Sequence, residues 1–97
     1  MSEIPKGFGR VKEEDPRISD AELARIGIIA ELDAVNLYEQ LAALAKDPLL
    51  KKVFRDIARE EKEHVGEFLE LLKRLDPEQV KSIEEGREEV KEMEGRP

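Results

Sequence analysis

Phe54-Arg55-Asp56-Ile57-Ala58-Arg59-Glu60-Glu61-Lys62-Glu63-His64-Val65-Gly66-Glu67-Phe68 is the stretch that decides the fold. With its flanks it carries Leu50, Phe54, Ile57, Phe68, Leu72 and Leu75 at steps that fit one face of a helix. Two members of that series are not apolar: Glu61 and His64 stand where the period calls for a buried side chain. A buried carboxylate without a partner is strongly unfavourable, so something positive must meet Glu61. His64 follows three residues later on the same face, which is the spacing of a Glu-x-x-His metal motif. Glu60 and Glu63 fall on the solvated side.

Working outward, Asp47-Pro48 supplies an N-cap followed by a first-turn proline, and Asp76-Pro77 repeats the device. A helix is therefore expected over roughly 48–74. Upstream, Ser19-Asp20-Ala21-Glu22 reads as a capping box. The stretch 20–45 that follows has no proline and repeats apolar residues at helical spacing: Leu23, Ile26, Ala30, Ala34, Leu37, Leu41, Leu44. Ile28, Ile29, Leu32 and Val35 widen that stripe over most of the helix, which must then be covered on more than one side. With about three residues between them, these two helices should form an antiparallel hairpin, each close to 40 Å long.

Residues 1–18, with Pro5, Gly7, Gly9 and Pro16 among charges, read as a flexible N-terminal arm. Residues 19–75 make the hairpin, and 76–97 a short C-terminal helix and tail. That last helix, roughly 77–93, is sparse in apolar side chains (Val80, Ile83, Val90, Met93) and is interrupted by Gly86. It is either a docking helix or a partly ordered tail. The expected class is all-α.

On the first helix Ala24, Gly27, Glu31, Ala34 and Tyr38 lie along one line, and Glu31 is the acid within the most apolar part of the chain. Glu31 precedes the Asp47-Pro48 turn by about fifteen residues and Glu61 follows it by about fourteen, so a hairpin brings them level. One Glu from one helix and one Glu-x-x-His from the other are half of what a di-iron carboxylate bundle needs. A two-fold dimer supplies four Glu and two His, and four carboxylates neutralise two Fe2+ ions. The expectation is thus a homodimer, a four-helix bundle with two Fe per dimer. Carboxylate-rich sites with one imidazole per ion suit iron or manganese better than zinc, although manganese or adventitious zinc stays open. Tyr38, on the Glu31 line, is either a core aromatic or a residue supporting the ligands. Asp33 and Glu39 face solvent or a neighbouring chain, and a metal-access role for Asp33 is the weaker reading.

Composition bounds the rest. The chain has 97 residues, 42% of them charged and 4% aromatic, with no Trp, so an isolated monomer has little core and a metal or partner chain is expected. A formal net charge of −7 argues against nucleic acid as a partner. With no Cys there is neither disulfide nor thiolate ligand. No apolar run is long enough to span a membrane, and an intracellular protein is expected.

Ile29-Ala30-Glu31-Leu32-Asp33-Ala34-Val35-Asn36-Leu37-Tyr38-Glu39-Gln40 and Arg59-Glu60-Glu61-Lys62-Glu63-His64-Val65 resemble the two metal-binding helices of the encapsulated ferritins. The resemblance covers roughly 20–93 and implies a ferritin-like hairpin whose dimer forms a ferroxidase centre. It implies that Glu31, Glu61 and His64 bind the iron pair, that Glu61 bridges the two ions and that Tyr38 lies nearby. It also implies dimers assembled into a ring, typically a decamer, and cytoplasmic residence inside an encapsulin shell for iron storage. Two departures stand out. Some relatives carry an acid just before the Glu31 position, on the route by which iron enters, where this chain has Ala30. Glu94-Gly95-Arg96-Pro97 is unlike the apolar-basic peptide that docks cargo on the shell, and the closer likeness is to archaeal versions fused to the shell protein. Two rival readings are a di-metal peroxidase of the rubrerythrin or manganese-catalase type, and a non-catalytic helical scaffold with its acids paired to Arg or Lys.

Overall fold

Ser19 leaves extended backbone (φ −79°, ψ 160°) and its hydroxyl accepts a hydrogen bond of 3.1 Å from the Glu22 amide, which starts the first helix. The computed structural model describes residues 17–96, so the arm expected over 1–18 falls, apart from Arg17 and Ile18, outside the described residues. Helix α1 runs Asp20–Leu44, α2 Pro48–Leu75 and α3 Pro77–Glu94, and no strand occurs among the described residues. The class is all-α.

Both Asp-Pro pairs act as their chemistry dictates. The Asp47 carboxylate accepts from the Leu50 amide at 2.8 Å, and Pro48 opens α2. Across the turn the Lys51 ammonium donates to the Ala42 carbonyl at 2.6 Å, placing a cation on an otherwise orphaned C-terminal carbonyl of α1. Asp76 serves two helices at once: its amide closes α2 on the Leu72 carbonyl at 2.9 Å, and its carboxylate accepts from the Gln79 amide at 3.2 Å to start α3. The same carboxylate pairs with the Arg25 guanidinium, and Arg25 also donates to the Gln79 side chain at 3.4 Å. Helix α3 is continuous through Gly86, which corrects the interruption expected there. One glycine costs a helix about 1 kcal/mol and does not stop it.

The hairpin interior is narrow. Among the described residues the buried hydrophobic ones are Ala24, Val35 and Ala42 of α1 and Ala58 and Leu72 of α2. Large apolar side chains remain exposed, among them Leu23, Leu37 and Leu44 on α1 and Val53, Leu71 and Leu75 on α2. Helix α3 buries no residue. The radius of gyration is 17.0 Å, well above the roughly 12–13 Å of a compact chain of this length, and the molecule measures 50 × 45 × 22 Å. Leu71 lies seven residues beyond His64 and so shares its face, which stands open in the single chain.

Candidate metal centre

The antiparallel register sets the site. Glu31 stands mid-way along α1, and Glu61 and His64 lie one turn apart on α2. His64 Nδ1 is 3.3 Å from a carboxylate oxygen of Glu31 and 3.3 Å from one of Glu61. One ligand atom from each of the three residues falls within 4.8 Å of the others, the only such group of His, Asp and Glu among the described residues. The two glutamate side chains are 18% exposed and the imidazole 42%, so the acids are the drier members.

A single ring nitrogen carries at most one proton, and here it faces two carboxylate oxygens at the long end of hydrogen-bond distance. Neither Glu31 nor Glu61 is ion-paired to a Lys or Arg among the described residues. Two half-buried carboxylates share one imidazole and lack a strong cation. That arrangement is poised for a positive ion, and its two oxygen donors and one nitrogen donor suit iron or manganese.

The other residues singled out in the sequence sit elsewhere. Tyr38 packs its ring against Phe54, with centroids 6.1 Å apart, two helical turns from Glu31. Asp33 is exposed and outside the cluster, and Ala30 is half-buried. Glu39 is bound by Lys62 at 3.3 Å. It lines an open pocket of about 310 Å3 with Ala42, Ala58, Arg55 and Arg59, which contains none of the three clustered residues. One contact beside the site was missed from the sequence, that of Gly27 with Phe68. Gly27 on the Glu31 line, where neighbours are Ala or larger, was the available signal.

The model of the family described as rubrerythrin matches residues 22–95. Among curated proteins, the chain is 58% identical over 74 residues to a ferritin-like-encapsulin shell fusion protein of Pyrococcus furiosus, covering 76% of this chain and 21% of that protein. It is 38% identical over 78 residues to the encapsulin nanocompartment cargo protein EncC of Myxococcus xanthus, covering 77% of this chain and 60% of the relative. The chain thus spans about a fifth of the first relative and under two thirds of the second. Among solved structures, the encapsulated ferritin domain from Pyrococcus furiosus superposes with a TM-score of 0.78 at 49% identity, over 90% of this chain and 92% of that one. No helix among the described residues is long and apolar enough to cross a membrane.

Proposed function

This chain belongs to the rubrerythrin family and is a ferritin-like domain of the encapsulated type, and from that premise we propose that it oxidises Fe2+ to Fe3+ at a di-iron carboxylate site built across a two-fold dimer interface. The observation that carries this reading is the meeting of Glu31, Glu61 and His64 with no Lys or Arg paired to either acid among the described residues. A scaffold with structurally paired acids would need that cation.

Iron is the substrate. Each chain offers two carboxylates and one imidazole, so two chains hold two Fe2+ at charge balance, with Glu61 as the bridging carboxylate and Glu31 and His64 as terminal ligands. Two Fe2+ give up two electrons, enough to reduce one O2 with two protons to H2O2, or one H2O2 with two protons to two H2O. Glu31 and Glu61 favour the more highly charged product ion, which lowers the cost of the oxidation. The open apolar face around Val53, Leu71 and Leu75 supports the dimer, since an uncovered seam of this kind needs a second chain. Tyr38, two turns from Glu31 on the same line and packed on Phe54, is the supporting residue in this reading. The relatives named for an encapsulin shell and its cargo support residence in an encapsulin nanocompartment, with dimers joined in a ring and the oxidised iron stored in the surrounding shell.

Anaerobic Fe2+ addition followed by air should produce growing near-ultraviolet absorbance. The Glu31→Ala, Glu61→Ala and His64→Ala variants should each lose it, and full activity in all three would overturn the reading. The rubrerythrin family match favours one second reading, a di-metal peroxidase. Rapid H2O2 consumption without net accumulation of Fe3+ would decide for it.

A further inference from the structure

Gly27 lies one turn before Glu31 on α1, and Phe68 one turn after His64 on α2. A Cβ placed on Gly27 would fall 3.1 Å from Phe68 Cε1 and 3.2 Å from both Cδ1 and Cε2. Three ring carbons at nearly one distance put that point over the face of the ring, so the phenyl lies flat against the α1 backbone. The two other glycines inside helices, Gly66 and Gly86, meet nothing within 4 Å at the same position. Glycine inside a helix costs about 1 kcal/mol relative to alanine, and at Gly27 the close ring accounts for its presence.

We propose that Gly27 and Phe68 form a positioning pair for the Glu31, Glu61 and His64 cluster, an inference that rests on reading those three as metal ligands. The ring, seated on a backbone without a side chain, fixes how closely α1 and α2 approach one turn from the ligands. That spacing sets whether Glu31 reaches Glu61 and His64. Phe68 is only half-buried, so a methyl group at position 27 pushes the ring outward by a few tenths of an ångström instead of unfolding the hairpin.

The test uses Co2+ as probe on the full chain, with its visible absorbance reporting ligand geometry, beside thermal melts of the metal-free protein. Supporting residues of metal ligands typically change affinity by about 10–100-fold when altered, so Gly27→Ala is expected to weaken Co2+ binding at least tenfold and change the spectrum. Its metal-free helicity and melting temperature should hold or rise. Phe68→Leu leaves room for the methyl group, so adding Gly27→Ala to it should cause no further loss. Wild-type affinity and spectrum in Gly27→Ala would overturn the pairing. So would an equal loss when the change is made in the Phe68→Leu background, or a metal-free melting temperature that falls in step with affinity. Co2+ binding that survives unchanged in Glu61→Ala would instead overturn the ligand assignment, and the positioning role with it.

Discussion

A carboxylate oxygen of Glu31 lies 3.3 Å from Nδ1 of His64, although 33 residues separate them in the chain. That meeting is a product of the hairpin turn. Lys51 on the Ala42 carbonyl and Asp47 on the Leu50 amide fix where α2 starts relative to the end of α1. A shift of one residue would rotate His64 by about 100° away from the α1 face.

Metal should hold the fold together as well as undergo chemistry. A ligand bound at a hundred times its dissociation constant adds about 2.7 kcal/mol to the native state. Thermal melts with and without saturating Mn2+, a metal that avoids turnover, should therefore differ by several degrees. The gain should vanish in Glu61→Ala.

Neighbouring leucines on α2 should behave in opposite ways. Leu72 is 3% exposed and sits in the hairpin core, so Leu72→Ala should cost about 2–5 kcal/mol in denaturant unfolding. Leu71 is 49% exposed and shares the His64 face, so Leu71→Asp should leave helicity intact while dissociating the proposed dimer. Sedimentation velocity would show the change in mass, and iron oxidation should fall although no ligand is touched.

The backbone plan of the hairpin and the three clustered residues were legible in the sequence because each rests on a local rule. Asp-Pro caps mark helix starts, and a break in apolar period marks Glu61 and His64. The meeting with Glu31 needed only a count of residues on either side of the turn. Other features were not legible because they depend on tertiary placement. The Arg25 guanidinium reaching Asp76 spans 51 residues, and nothing in the local pattern marks the partner. Gly86 carried a breaker signal that the surrounding helix formers outweigh. Phe68 resting on Gly27 depends on the distance between the two helices, which no local pattern reports.

Gly86→Ala should stabilise α3 by about 0.5–1 kcal/mol, since a Cβ there meets nothing within 4 Å. Slower amide hydrogen exchange across residues 80–94 would report it. The iron chemistry should be unchanged.

Asp76 joins three elements, and its loss should free α3. Asp76→Ala removes an N-cap worth about 1 kcal/mol and the pairing with Arg25, whose partly exposed guanidinium contributes less than about 1 kcal/mol. Exchange of α3 amides should accelerate while α1 and α2 keep their protection. Arg25→Ala should show the same pattern more weakly.

Native mass spectrometry with metal counting tests the shared site most directly. The account predicts even-numbered oligomers carrying one iron per chain after anaerobic loading, and no retained iron in Glu31→Ala or Glu61→Ala. Monomers that bind two irons, or even-numbered oligomers whose iron content is untouched by those substitutions, would contradict it.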